Sequence, residues 1–283
     1  MHKPVLLHES VDGLDLKDGG VFVDATYGAG GHTKEVLKRF PKIKAISIDQ
    51  DPETQANIIG NFRDLDMLLG EVRPDAILLD LGFSSDQLES SGRGLSFQKD
   101  EPLDMRLSGP LDQSSSSQTI TAAEILNSWD EHAIELILRG FGGEKYSRRI
   151  AGAIVRRREL TPFETTTELV ENIISSVPAS YRHGRINPAT RTFQALRIAV
   201  NEELTALEEG LAKGFEHLAI GGRFAVISFH SLEDRIVKNF FRDKAKLGNA
   251  KLINKKPITP SKDEIEGNPR ARSAKLRVIE KIL

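Results

Sequence analysis

The chain has 283 residues and no cysteine. Disulfide bonds, cysteine-ligated zinc and cysteine-ligated iron–sulfur clusters are therefore excluded, together with the radical chemistry that such clusters initiate. A cysteine nucleophile is excluded as well. This rules out covalent addition to C6 of a pyrimidine as the route to alkylation at C5.

Long apolar runs are also missing. No stretch reaches the roughly 20 apolar residues of a membrane-spanning helix, and the N-terminal MHKPVLLHES lacks the basic and apolar regions of a secretion signal. We therefore expect a cytoplasmic protein with no membrane partner. With 39% hydrophobic and 28% charged residues, the composition is ordinary for a globular chain with one large α/β domain, with or without an insert.

Charge is nearly balanced overall but unevenly distributed. The net charge is −2, yet residues 141–200 carry ten Lys or Arg and only five Asp or Glu. Such a basic segment is a candidate surface for a polyanion. Solvated helix faces would give the same count, so both interpretations stay open.

The most informative stretch is 20–32, GVFVDATYGAGGH. A short apolar strand at 21–23 leads into a turn that contains Gly28, Gly30 and Gly31, and a helix follows. Strand, glycine-rich turn and helix are the typical opening unit of a nucleotide-binding α/β fold. A dinucleotide fingerprint would have a third glycine where Thr33 stands.

A second strand, 43–48, ends in Asp49, about 20 residues after the glycines. An acid at this position is placed to accept hydrogen bonds from two ribose hydroxyls. Both NAD and S-adenosylmethionine (SAM) carry such a ribose. Alternatively, Asp49 caps a helix that begins near Pro52.

The remaining pattern predicts an α/β fold interrupted by helices. A clipped helix after Asp51 precedes a short strand near 58–59, and a strand at 75–81 carries Asp80. Helices are predicted at 122–127, 131–138, 146–158, 167–177 and 189–211. A strand at 223–228 follows, then His230 and a helix at 231–245 capped by Ser231 with Asp234. Strands at 251–254 and 274–282 enclose a loop.

Several motifs resemble one family, in order and over essentially the whole chain: VDATYGAGGH, DQDP, LLDLGFSSDQL, RGLSF, PLDMR, NPATRTFQALRIAVNEEL, VISFHSLEDR and NPRARSAKLR. The chain resembles the ribosomal RNA small subunit methyltransferase H family. That family uses SAM to methylate N4 of a cytidine in 16S rRNA near the decoding centre. The resemblance implies a class I SAM-dependent methyltransferase domain (Rossmann-like, doubly wound), which we expect at 1–104 and 208–283. The all-helical pattern and the cation excess predict a helical insert at 105–207 for RNA recognition.

The resemblance also assigns residues. The family's SAM-binding turn falls on Gly30, Gly31 and His32, after Gly28, and its ribose-binding acid falls on Asp49. An adenine-side phenylalanine falls on Phe62, the acid of the fourth strand on Asp80, and a loop glutamine on Gln87. Two departures are visible: the segment 51–62 is shorter than in the family, and Asp86 stands where the family usually has proline.

Methylation of an exocyclic amine favours an acceptor at the reacting nitrogen. Asp80, Ser84 and Ser85 are candidates, and His230 is a weaker one; a carboxylate that only holds the following loop would explain Asp80 equally well. Phosphate contacts are expected from a basic set, comprising Arg149, Arg156, Arg157, Arg182, Arg185 and the ARSAKLR tail.

The expected partners are 16S rRNA and the small ribosomal subunit, with a homodimer left open. No metal is expected, because no His/Asp ligand cluster is evident. Two other functions stay open: a NAD-dependent dehydrogenase, and a non-catalytic, SAM-sensing RNA-binding factor for ribosome assembly.

Overall fold

The computed structural model describes residues 3–82, 91–109 and 120–283. The chain divides into two compact units, Met1–Ser84 with Leu204–Leu283, and Ser85–Glu203. The helical unit thus includes residues before 105, where the sequence placed its start. Residues before 105 belong to this unit because they bond to the segment around α7: Thr166 Oγ1 donates to the carbonyl of Lys99 at 2.6 Å, and Leu103 N–H donates to Glu164 O at 2.9 Å.

A seven-stranded sheet forms the first unit, in the order β3-β2-β1-β4-β5-β7-β6. Its strands are β1 Val21–Asp24, β2 Lys44–Asp49, β3 Ile58–Ile59, β4 Ala76–Asp80, β5 Arg223–Ser228, β6 Ala250–Leu252 and β7 Lys275–Lys281. The first five strands in this order are parallel, and β7 runs antiparallel to both β5 and β6. The predicted doubly wound α/β fold is confirmed.

Helices flank the sheet and fill the second unit. In the described residues they are α1 Leu7–Gly13, α2 Gly31–Arg39, α3 Leu65–Leu69, α4 Ala122–Ser128, α5 Glu131–Gly140, α6 Ser147–Arg158, α7 Thr166–Ser176, α8 Ala179–Arg182, α9 Ala189–Val200, α10 Glu203–His217, α11 Ser231–Lys246 and α12 Lys262–Gly267. None of the described helices combines the length and the hydropathy that a membrane span needs.

The two faces of the sheet bury two separate hydrophobic clusters. Because successive strand side chains point to opposite faces, Phe22 and Val23 enter different clusters, as do Leu78 and Leu79. All four side chains are fully buried. Strands buried on both faces read as continuous apolar runs, which is why the sequence located β1 and β4 correctly.

Capping boxes start two helices of the second unit. Thr121 and Glu124 cap α4, and Thr165 and Glu168 cap α7. Each box satisfies N–H groups that the first helical turn leaves unpaired.

The prediction of one helix over 189–211 was wrong. The chain breaks between α9 and α10, where Glu202 takes a left-handed φ of +48°. Asn201 holds the break: its amide donates to Met105 O at 2.8 Å, and its carbonyl accepts from Leu107 N–H at 2.8 Å. These long-range partners override a helical periodicity that continues through the break.

The predicted cap of α11 was also wrong. His230, not Ser231, is the N-cap, and Glu233 completes the box by accepting from Phe229 N–H at 2.7 Å and His230 N–H at 3.1 Å. Asp234 instead pairs with two cations of β7, Lys275 at 3.0 Å and Arg277 at 2.8 Å.

Two further segments differ from expectation. The clipped helix after Asp51 is a turn, in which Thr54 N–H and Thr54 Oγ1 both bond to Asp51 O, at 3.1 and 2.8 Å. Asn57 then bonds to Ser47 through its side chain at 2.8 Å, which leads directly into β3. The predicted loop before β7 contains α12 and a short 3-10 helix, Pro269–Ser273.

Candidate active site

Three aspartates end three neighbouring parallel strands: Asp24 on β1, Asp49 on β2 and Asp80 on β4. The order β2-β1-β4 places all three at the carboxyl edge of the sheet. This edge is where doubly wound sheets bind ligands. The sequence assigned Asp49 and Asp80 to the site, and the structure brings them to one edge with the glycine-rich turn.

The turn after β1 requires glycine for steric reasons. Gly28 and Gly30 adopt left-handed φ values of +50° and +72°. A Cβ on Gly30 would lie 2.5 Å from the ring of Tyr27, and a Cβ on Gly31 would collide with Pro4. Gly30 caps α2 without a side-chain hydrogen bond, so backbone N–H groups at the helix start stay available to an anionic group.

Asp49 ties the end of β2 to this turn. One carboxylate oxygen accepts from Gly28 N–H at 2.7 Å, and the other accepts from Asp51 N–H at 2.9 Å. Burial raises the pKa of Asp49, and the backbone donors oppose the shift. A carboxylate has about four acceptor positions, so ribose hydroxyls can bind Asp49 without displacing these two bonds. Helix capping, the alternative interpretation, does not occur, because a turn follows.

Asp80 holds the backbone on both sides of it. Its N–H donates to Thr26 Oγ1 at 2.6 Å, and Oδ1 accepts from Gly82 N–H at 3.2 Å. The side chain keeps 15% of its surface exposed, and Oδ2 lies 3.7 Å from Nδ1 of His32. A holding role and a part in the chemistry are therefore compatible, since each uses a different oxygen.

The ring of His32 points inward. Nε2 lies 3.2 Å from the carbonyl of Val5, and because a carbonyl can only accept, Nε2 carries the proton. Burial lowers the pKa of His32, and Asp24 opposes the shift. Because both ring nitrogens face groups of the protein, Val5 O and Asp80 Oδ2, the backbone N–H of His32 is the group of this residue suited to a cofactor.

Asp24 belongs to the same cluster and was given no role from the sequence. It is 1% exposed, and its carboxylate accepts from Thr33 Oγ1 at 2.6 Å and from Thr26 N–H at 3.4 Å. Burial raises the pKa of Asp24, with His32 and Thr33 opposing and Asp80 reinforcing the shift. The sequence pattern could have indicated a role for Asp24, because Asp24 ends its strand just as Asp49 does.

The other assigned residues are placed less directly. Phe62 is partly buried in a core cluster, where its ring crowds Gly210 of α10; a Cβ there would lie 2.6 Å from the ring. His230 turns both ring nitrogens to Glu233. Nδ1 accepts from the Glu233 N–H at 3.4 Å, and Nε2 lies 3.0 Å from Oε1, poorly aligned for a hydrogen bond. Ser84 and Gln87, with Ser85 and Asp86, lie outside the described residues.

Sequence comparisons with known proteins agree on one family. Residues 1–282 match the sequence model of the MraW methylase family. Ribosomal RNA small subunit methyltransferase H of Carboxydothermus hydrogenoformans is 44% identical, covering 99% of this chain and 98% of its own. The protein of the same name from Trichodesmium erythraeum is 46% identical, with 99% of both chains covered. Among solved structures, an rRNA methylase from Streptococcus thermophilus aligns with a TM-score of 0.40 at 12% identity, over 100% of this chain and 99% of its own.

Proposed function

Because the chain belongs to the MraW methylase family and is an rRNA methyltransferase, we propose that it methylates the N4 amine of a cytidine in 16S rRNA. SAM is the methyl donor, and the family resemblance supports a position near the decoding centre. One observation of the structure carries the proposal: carboxylates from three adjacent strands surround the glycine-rich turn. Such an edge suits a cationic sulfonium cofactor beside a proton-releasing amine.

In the proposed complex, Asp49 accepts hydrogen bonds from the two ribose hydroxyls of SAM. Backbone groups of the turn from Gly28 to His32, with Gly30 and Gly31, lie against the methionine part, where no Cβ intrudes. Phe62 beside the adenine and Gln87 in the following loop are carried over from the family resemblance.

The chemistry requires little covalent machinery from the protein. The sulfonium carbon is already activated, so the enzyme chiefly aligns the methyl group with the attacking nitrogen. The C–S bond breaks as the C–N bond forms, and sulfur keeps the electron pair. The lone pair of N4 is delocalised into the ring, so an acceptor for its hydrogen promotes attack. Asp80 is the proposed acceptor, and it or water takes the proton that nitrogen releases.

Two more residues complete the proposed reacting edge. Ser84 is proposed from its place in the sequence after Asp80. His230 is a weaker candidate, because its ring nitrogens already face Glu233. The absence of cysteine removes the covalent route to C5, which supports reaction at the exocyclic amine.

RNA recognition is proposed for the helical insert, 105–207, which lies almost wholly within the second compact unit. The balance of ten cations to five anions in 141–200 supports a role in holding rRNA. The proposed methyltransferase domain comprises the rest of the chain, 1–104 and 208–283.

Replacing Asp80 tests the reaction. Asp80→Asn keeps the side-chain shape and the oxygen that accepts from Gly82, but it removes the charge. We expect the methylation rate on purified small subunits to fall more than about tenfold, roughly 1.4 kcal/mol of barrier, with a smaller loss of SAM affinity. The exposed Asp15, replaced by asparagine, is the matched control.

Product analysis tests the acceptor atom. Nucleosides from the methylated rRNA should contain N4-methylcytidine, and recovery of 5-methylcytidine instead would overturn the assignment. A protein that binds SAM and RNA but never turns over on small subunits would be a SAM-sensing assembly factor instead.

A further inference from the structure

We propose that a basic concavity in the helical unit binds a single-stranded segment of the RNA substrate, phosphates and base together. The concavity has a volume of about 440 Å³. Its polar lining consists of Lys145, Tyr146, Arg148, Arg149, Arg156 and Glu131. The inference rests on the proposed rRNA substrate and assigns it a specific site.

The structure divides the arginines that the sequence grouped together as expected phosphate contacts. Several basic residues of 141–200 serve the fold. Arg157 donates to Thr161 O at 2.9 Å and pairs with Glu168 at 3.1 Å, and Arg158 donates to Trp129 O at 2.5 Å. Arg182, Arg191 and Arg197 likewise bond within the unit.

The arginines of the concavity differ. The side chains of Arg148, Arg149 and Arg156 make no hydrogen bond or ion pair with any other residue that the structure describes. All three residues line one concave surface, whereas the arginines that serve the fold are held by carbonyls or carboxylates. Uncommitted guanidinium groups are suited to phosphate oxygens, which they can bind in pairs.

The charges at the start of the helix that carries these arginines destabilise it. Arg148 and Arg149 lie in the first turn of α6, which has no acidic residue and no side-chain cap. The helix dipole favours acids there, and α4 and α7 follow that rule with Glu124 and Glu168. A bound anion would remove the conflict in α6.

A fixed aromatic wall borders the cations. The ring of Tyr146 contacts Tyr181 edge-on at 4.9 Å between centroids, and Lys145 Nζ lies 5.0 and 4.9 Å from the two ring centres. Glu144, 1% exposed, anchors both residues by accepting from Tyr181 Oη at 2.6 Å and from Tyr146 N–H at 2.8 Å. An immobilised ring beside cations is the usual platform for an unstacked base.

The floor of the concavity explains its depth and adds an acceptor. A Cβ on Gly152 would lie 3.1 Å from a terminal nitrogen of Arg156 and 3.3 Å from a carboxylate oxygen of Glu131. Glycine therefore leaves the space open. A carboxylate among cations is unfavourable for a simple anion, but it can accept from a 2′-hydroxyl or a base amine. The lining thus fits a nucleotide better than free phosphate.

The test measures RNA binding and its salt dependence directly. In the double variant Arg149→Gln with Arg156→Gln, a labelled single-stranded RNA oligonucleotide should bind at least tenfold more weakly at low salt. The slope of log K against log salt should shrink by about 1.4, since each single-strand phosphate contact contributes about 0.7. Tyr146→Leu should weaken binding while leaving the slope unchanged.

The matched control removes two charges elsewhere. Arg139→Gln with Arg242→Gln alters exposed arginines that pair with a neighbouring acid, Glu135 at 3.8 Å and Asp243 at 3.2 Å. This control should retain most of the RNA affinity. If the Arg149→Gln, Arg156→Gln variant keeps the wild-type slope, or loses no more RNA affinity than the control, the inference is wrong.

Failure of this inference and failure of the proposed reaction can be told apart. SAM affinity and the identity of the methylated nucleoside report on the reaction, whereas the oligonucleotide titration reports on the concavity. The proposal would also be contradicted if Tyr146→Leu lost as much affinity for double-stranded RNA as for single-stranded RNA, because only an unpaired base can reach Tyr146.

Discussion

Replacement of Asp49 by alanine is the sharpest test of the cofactor site. In the free protein, the carboxylate bridges Gly28 N–H at 2.7 Å and Asp51 N–H at 2.9 Å, and it is 7% exposed. The substitution therefore removes two structural hydrogen bonds and the proposed ribose acceptor at once. The experiment has to separate these two effects.

The expected loss of affinity follows from the bonds that ribose would make. A hydrogen bond to a charged acceptor contributes about 1.5–3 kcal/mol net, and two hydroxyls that share one carboxylate should together contribute about 2–4 kcal/mol. At 1.4 kcal/mol per decade, SAM affinity should fall roughly 30- to 700-fold. Loss of fold stability should be smaller than the loss of two bonds, because burial already disfavours the charge of Asp49.

Isothermal titration with SAM and S-adenosylhomocysteine measures the effect, and thermal unfolding of the free protein measures the structural part. Asn57→Ala is the control for local damage, since Asn57 accepts from Ser47 N–H at 3.1 Å on the same strand but offers no ribose contact in the proposal. Unchanged SAM affinity in folded Asp49→Ala would refute the placement. Equal losses in both variants would show that Asp49 acts only through the backbone.

Three further predictions concern the same edge. Burial raises the pKa of Asp24 above its unfolded value, so the native state holds more protons and stability should fall as pH rises from about 4 through the raised pKa; in urea unfolding, Asp24→Asn should flatten this dependence. Gly31→Ala should displace Pro4 and weaken SAM binding by titration. Gly28→Ala, with open space but a φ of +50°, should lower unfolding stability by only about 1–2 kcal/mol.

Much of the fold could be read from local pattern. Continuous apolar runs located β1 and β4, because strands buried on both faces need apolar residues at nearly every position. The glycines before α2 marked the turn, because a left-handed φ and a colliding Cβ exclude other residues there. The geometry of parallel sheets then predicts that acids at strand ends lie at the ligand-binding edge. This argument placed Asp49 and Asp80 in the site, and it applies equally to Asp24, which the sequence analysis gave no role.

Pairing between distant residues was decided by the tertiary structure alone. Asn201 stops a helix whose periodicity continues, because its partners, Met105 and Leu107, come from almost a hundred residues earlier. The inward ring of His32 depends on Val5 and Asp80 in the same way.

Charged residues show most clearly which features the sequence determines and which the tertiary structure decides. Residues 141–200 have an excess of cations in the sequence, but only the packed chain shows that Arg157 and Arg158 are engaged in the fold while Arg149 and Arg156 face a concavity. Apolar periodicity and backbone geometry are local properties, so the sequence determines them directly. The partner of a long charged side chain depends on which distant carbonyl or carboxylate folding brings within about 3 Å, so that assignment waits for the fold.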